Sequence, residues 1–334
     1  MKRKLVATLF AAATAVSAFA VNAGAEEAVK TGLALITDVS DSTDAAEDKE
    51  GVGASNVSIA AVTVDSEGKI VNCVIDIAQT KIKFDAEGKV TADLEAEYKS
   101  KQELKEEYGM KAASQIEKEW YEQANAFAEY CIGKTAEEVA GLAVTDDGRA
   151  GDVDLAASCS IHVAPLQAMV IKAVENAEDL GADAEDKLGI GVDISVANSA
   201  DATEEKDGLT EAYDTVVAVT VDADGVITSA ALDAVQARVG FDAAGVITTD
   251  LEAEQQSKQE LKDAYGMIAA SKIGKEWYEQ AKAYTDYIVG KTAEEVEGIA
   301  VEEGRPAEED LAASVTIHIN GFNALVAEAV ENAR

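Results

Sequence analysis

Two apolar runs, Val57–Val64 and Ile70–Ile77, flank the polar stretch Asp65-Ser66-Glu67-Gly68. In the second run Val71, Cys73, Ile75 and Ile77 alternate onto one face. Alternation around a turn-forming tetrapeptide predicts a β-hairpin. The stretch "TKIKFDAEGKVT", Thr80–Thr91, predicts a further hairpin. The period then changes. Ile116, Trp120, Ala124, Phe127 and Cys131 mark one face of a helix that Gly133 ends. Ser114 and Glu117 have capping-box spacing, and Thr135 with Glu138 caps a short second helix. Towards the end of the unit Cys159, Ile161 and Val163 alternate with Ser158, Ser160 and His162, which predicts a strand with one core face and one polar face.

The whole pattern is written twice. "KEWYEQA" stands at Lys118–Ala124 and again at Lys275–Ala281. "KQELK", "YGM" and "GKTAEEV" recur in the same order at an offset of 157, which becomes 156 after Gly148. In the second copy the helical face is Ile273, Trp277, Ala281, Tyr284 and Ile288, with Gly290 at its end, and Thr292 with Glu295 caps the next helix. The closing strand is "DLAASVTIHI", Asp310–Ile319, with Val315, Ile317 and Ile319 on one face and Ser314, Thr316 and His318 on the other. Such units are too long for a solenoid repeat. The expected fold is α+β: two tandem homologous domains, each an antiparallel sheet packed with helices. The expected boundaries are a signal peptide at 1–25, domain 1 at 26–178, an acidic linker at 179–187 and domain 2 at 188–334.

Composition changes this picture at three points. Lys2, Arg3 and Lys4 precede an Ala-rich apolar run, and Ala23-Gly24-Ala25 fits a cleavage site, so the chain is expected to be secreted after a cut near Ala25. The net charge of −36 becomes −39 when those three cations are lost, which excludes nucleic acid and anionic lipid as partners. No later run is long and apolar enough for stable membrane insertion. Cys73, Cys131 and Cys159 are replaced in copy two by Ala230, Ile288 and Val315, so they read as core residues without a disulfide or a metal. The two "GKT" triplets lack the Gly five residues earlier that a phosphate loop requires: Ala128 and Thr285 stand there. The Asp-x-Asp-Gly at Asp222 reads as a turn and not as a calcium loop.

Both histidines of the chain, His162 and His318, lie two residues after a hydroxyl, Ser160 and Thr316. As a hydrolytic pair this is poor. On one strand the two Cβ atoms would be about 6–7 Å apart, beyond hydrogen-bond reach. No catalytic residue is assigned on this ground.

The series "AAVTVDSEGKIVNCVID", "AQTKIKF", "YGMKAAS", "KEWYEQA", "GKTAEEV" and the terminal "DLAAS" resembles the FMN-binding domain family of extracytoplasmic flavoproteins, which includes a subunit of the sodium-pumping quinone reductase. It is closest to the tandem flavinylated lipoproteins of Gram-positive extracellular electron transfer. The family attaches FMN through its phosphate to the last hydroxyl of an Asp-x-x-Ser-Gly-Ala-Thr/Ser motif. The resemblance places that hydroxyl at Thr316, six residues after Asp310, and at Ser160, six after Asp154. The motif Gly is absent from both copies, where Ala313-Ser314-Val315 and Ala157-Ser158-Cys159 stand.

The resemblance implies a secreted electron carrier, a redox protein more than an enzyme with its own substrate. It would carry covalent FMN at Thr316 and at Ser160. Its partners would be a flavin transferase, a membrane-bound upstream reductase and extracellular electron acceptors. Ser314, Ser158, His318, His162, Tyr108, Met110, Tyr265 and Met267 are the further candidate cofactor contacts, and Trp120 and Trp277 are assigned to the core. The alternative is a secreted structural or ligand-binding tandem protein that has kept the fold and lost the flavin.

Overall fold

A computed structural model describes residues 27–334. The expected signal peptide at 1–25, with its expected cleavage near Ala25, lies outside these residues. The first unit opens with strands β1 (Ala28–Asp38), β2 (Gly51–Val64) and β3 (Ile70–Phe84). The expected turn joins β2 to β3. Gly68 takes φ +77°, and Asp65 accepts the N–H groups of Glu67 and Lys69. Helices α1 (Lys101–Leu104), α2 (Trp120–Cys131), α3 (Ala136–Ala140), α4 (Val153–Ala156) and α5 (Ala164–Glu175) follow. Strand β4 (Glu178–Asp183) leads to the second unit. That unit contains β5 (Lys187–Ser195), β6 (Gly208–Val221), β7 (Ile227–Phe241), α6 (Lys258–Leu261), α7 (Trp277–Ile288) and α8 (Ala293–Glu297). It closes with the two-residue strands β8 (Val301–Glu302) and β9 (Arg305–Pro306), then α9 (Glu309–Ala312) and α10 (Asn320–Glu331).

The fold is α+β, with two large antiparallel sheets ordered β3-β2-β1-β4 and β5-β6-β7 and a small antiparallel pair, β8-β9. One face of each sheet packs on its own helices. Ile75, Phe127, Met169 and Val170 share the first of these cores, and Leu232, Tyr284, Val315 and Val326 the second. The opposite faces pack against each other. Leu33, Ile59 and Val74 of the first sheet meet Ile190, Val216 and Val235 of the second in one core. Central strands buried on both faces have no reason to alternate, which is why "IAAVTV" reads as a continuous apolar run.

The two sheets meet about an approximate two-fold axis. Phe84 stacks on its counterpart Phe241, with centroids 4.1 Å apart. Ala45 donates its N–H to Gly245 O at 2.8 Å, and Ala202 reciprocates to Gly88 O at 2.7 Å. Asp44 accepts from Ile247 N, and Asp201 from Val90 N, each at 2.8 Å. Reciprocal contacts of this kind are those of a C2 dimer interface, here within one chain.

Three expectations are corrected. The decapeptides Asp154–Val163 and Asp310–Ile319 are not strands. Each starts in a single helical turn, α4 or α9, and continues as irregular chain into α5 or α10. In the second decapeptide the buried residues are Leu311, Val315 and Ile319, a spacing of four that shares two positions with the alternating reading. In the first, Leu155, Cys159 and Val163 repeat that spacing, and Ser160 and Ile161 are buried as well. Helix α2 begins at Trp120 and not at Ser114. Glu119 and Glu122 form its capping box, while Glu117 has φ +54°. Residues 179–187 are not a free linker, because most of them form β4 along the edge of β1. The expected hairpin at Thr80–Thr91 forms in short form: the end of β3 turns at Gly88 and pairs back through one antiparallel bridge, Phe84 with Val90, with Asp85 N–H on Lys89 O and Thr91 N–H on Lys83 O.

Cys73, Cys131 and Cys159 are free and buried. Burial pushes the thiols of Cys131 and Cys159 up to about 12 and about 11. A thiol-reactive dye at pH 8 should therefore leave the native protein unlabelled, and denaturation without reductant should release three thiols; finding one would mean a disulfide.

Candidate functional site

In the second unit a short 3-10 turn, Lys262–Tyr265, ends at Gly266 with φ +75°. The chain then needs acceptors for its next N–H groups. Glu276, 2% exposed, supplies them: its carboxylate accepts from Met267 N and Ile268 N, both at 2.8 Å. The same carboxylate caps α7. "YGM" and "KEW" are thus two ends of one hydrogen-bonded device, and Glu119 repeats it with Met110 N and Lys111 N.

One turn into α7, Gln280 is fully buried. Its amide nitrogen donates to Ser271 Oγ at 3.2 Å and to Lys275 O at 3.1 Å. Its oxygen accepts both the N–H of Thr316, at 2.7 Å, and the Thr316 hydroxyl, at 3.1 Å. Arg305 donates from Nε to Thr316 O at 2.8 Å. Thr316 is therefore held at its N–H, its carbonyl and its side chain without being part of a strand.

Beside it opens a cavity of about 450 Å³, within the usual range for small-molecule sites. Thr316, His318, Arg305, Tyr213, Tyr265, Met267, Trp277 and Lys258 all line it. Lys258 is 4% exposed. Its Nζ donates to Tyr213 Oη at 2.7 Å and lies 4.4, 4.6 and 5.1 Å from the ring centroids of Tyr213, Tyr265 and Trp277. Burial lowers its amine to about 8. Among the described residues neither Lys258 nor Arg305 has a carboxylate within 4.0 Å. Asp193 lies on the same wall, and partial burial raises its carboxyl. Gly304 turns the chain at φ +77°, where a Cβ would stand 3.0 Å from the His318 ring and 2.8 Å from Asn320 Oδ1.

The cavity brings together Thr316, His318, Tyr265 and Met267. It leaves out Asp310, exposed on α9, and Ser314, which is half-buried. In the first unit Ser160 repeats the Thr316 geometry. Its N–H and hydroxyl bond to Gln123 Oε1 at 2.7 and 3.0 Å, and Arg149 donates to its carbonyl. Ser160 is more deeply buried than Thr316. Asp154 is exposed, Ser158 donates to Leu155 O, and His162 is exposed beside Arg149. Tyr108 and Met110 pack against the first helical core, and Trp120 is buried in it. Trp277 is both: 3% exposed in its core and part of the cavity wall.

Sequence reasoning passed over Gln280, Lys258, Tyr213 and Arg305. The first two carried a usable signal, since a polar residue repeated inside an apolar stripe or at a helix start is more than solvated surface. Tyr213 carried none, because Asn56 stands at its place in copy one. A larger groove of about 590 Å³ lies between the units, lined by Leu33, Leu35, Asp233, Tyr278 and the Lys172–Glu260 ion pair at 2.6 Å. None of the candidate residues reaches it.

No family model matches the chain, and no solved structure matches it. The chain is 50% identical over 42 residues to the chlorophenol reductase of Desulfitobacterium hafniense, a match that covers 13% of this chain and 13% of that protein.

Proposed function

We propose that the chain is a secreted flavoprotein electron carrier that bears FMN as a phosphoester on Thr316. The observation that supports this reading is the cavity at Thr316. A fixed hydroxyl stands at a pocket with aromatic walls, Tyr213, Tyr265 and Trp277. The pocket also holds two cations, Lys258 and Arg305, with no carboxylate within 4.0 Å among the described residues, in a chain of net charge −36. These are the donors that a flat ring with a phosphate tail requires, so the residues fit FMN. Thr316 would carry the phosphate, Arg305 would offset its charge, and the aromatic wall would hold the ring. When bound, the ring would supply the electron chemistry; the protein tethers it, orients it and sets its electrostatic surroundings. A flavin transferase would load it, a membrane reductase would reduce it, and an extracellular acceptor would take its electrons. No helix among the described residues is long and apolar enough to cross a membrane.

The alternative, a unit that has lost its flavin, is favoured for domain 1. Ser160 is only 9% exposed, and Pro165 and Leu166 replace Gly321 and Phe322 of the second cavity.

The experiment is secretion from a host that co-expresses a flavin transferase, followed by intact mass under denaturing conditions. The expected result is a yellow protein carrying one FMN on the Thr316 peptide, absent from Thr316→Ala and retained in Ser160→Ala. An unmodified wild type, or FMN mapped to another peptide, would overturn the reading.

A further inference from the structure

Lys258 has a feature that tethering alone does not require. It is a buried ammonium with no carboxylate within 4.0 Å among the described residues, Glu211 and Asp233 acting on it only from further off, yet the chain has 64 acidic residues against 28 basic ones. Burying a cation without an anion is unfavourable. What offsets it here is directional. Three aromatic faces surround the amine, and one tyrosine oxygen accepts from it. That cage fixes the charge at one point of the cavity wall, while Thr316, Arg305 and His318 also line the cavity.

We propose that Lys258 sets the redox potential of the ring held at Thr316, by fixing a positive charge against it. The proposal rests on the flavin reading above. A reduced flavin ring at neutral pH carries negative charge that the oxidised ring lacks. A nearby cation therefore favours the reduced form, and more strongly where water is excluded. Arg305 is exposed, so water screens it far more than Lys258. Asp193 also lines the cavity and opposes the effect, but it is exposed, so water screens its charge more than that of Lys258.

The first unit has a weaker version of the cage. Lys101 lies 4.8 Å from the Tyr108 centroid and 5.3 Å from that of Trp120, but Asn56 occupies the place of Tyr213, so the third ring and its hydroxyl are missing. The two copies therefore differ in how firmly the cation is placed, and this concerns residues other than the attachment hydroxyl.

The test uses the full secreted chain co-expressed with the transferase, in a Ser160→Ala background so that a single site is read. The midpoint potential is measured at pH 7 by spectroelectrochemical titration with dithionite as reductant. Lys258→Met is expected to shift the reduced-to-oxidised equilibrium at least tenfold towards the oxidised form, about 30 mV for a two-electron couple. Lys258→Arg should recover most of that shift, which a purely structural role would not. Lys258→Gln, which keeps a donor for the Tyr213 hydroxyl, is the second neutral variant should the methionine fail to fold. Loaded Met or Gln variants with the wild-type potential would overturn the role of Lys258 and leave the flavin reading standing. A background protein without flavin would overturn both.

Discussion

Asp214→Val is expected to stabilise the protein at pH 7 by about 2–4 kcal/mol, with the gain shrinking towards pH 4 to what the unpaired neutral acid alone costs. Asp214 sits on the face of β6 that packs against the other sheet, at the place held by Val57 in the first unit. It is 1% exposed, and neither carboxyl oxygen has a hydrogen-bond partner. Burial, with a smaller push from Asp193, raises its carboxyl from 3.8 to about 8. The sign follows from linkage. The folded protein keeps this proton up to about pH 8, while the unfolded chain releases it above about 4. Folding therefore takes up a proton throughout that window, and stability falls as pH rises through it. From 3.8 to pH 7 is about three units at about 1.4 kcal/mol each, an upper bound of about 4 kcal/mol. Asp76, Asp233 and Glu328, raised by burial to about 7, 6 and 7, act in the same direction, and Glu103 adds to the rise at Glu328. Wild type should thus melt highest in mild acid. Urea titrations of wild type and Asp214→Val at pH 4.5 and 7.5 check this: equal differences at the two pH values would show that the carboxyl ionises freely in the fold.

Glu276→Ala should cost about 3–5 kcal/mol and dismantle the candidate site. One buried carboxylate accepts from Met267 N and Ile268 N and caps α7. Each bond to an ionised acceptor contributes about 1.5–3 kcal/mol, and deletion leaves buried N–H groups unpaired. Bonds sharing one acceptor do not add in full. The loop from Tyr265 to Lys275 would then loosen, along with Ser271 and, through Gln280, the grip on Thr316. The measurement is a chemical denaturation curve with amide hydrogen exchange at Met267, Ile268 and Thr316. Glu276→Gln, which keeps one acceptor oxygen, should lose less. A variant that loses under 1 kcal/mol and keeps Thr316 protected would mean that the loop is held by its packing instead.

Much of the architecture is written locally. The Asp65–Gly68 turn, the alternation of Cys73, Ile75 and Ile77, the four-residue spacing from Trp120 to Ala124 and the Thr135–Glu138 and Thr292–Glu295 capping boxes each need only neighbouring residues, and each forms as expected; Val71 does not join that face, because the strand shifts register there and Ile70 enters the core. The duplication is equally plain, because it is a property of the string itself. No spacing could have placed Thr316, His318, Tyr265 and Met267 around one cavity, since 51 positions separate Tyr265 from Thr316.

What the tertiary structure alone decided is the partner of each face. Leu311, Val315 and Ile319 satisfy a period of four, while Val315, Ile317 and Ile319 satisfy a period of two. The choice between them was made by the helices against which Leu311, Val315 and Ile319 are buried. The acidic segment 179–187 looks like a linker by composition, yet β1 has a free edge and β4 takes it. Edge pairing uses backbone groups, which every sequence possesses, so side chains cannot announce it. The packing of the two sheets is of the same kind. A strand covered on both sides reads as uniformly apolar whichever layer covers it, so the run Ile59–Val64 states that both its faces are buried and leaves unsaid that the second is buried by the other copy of itself.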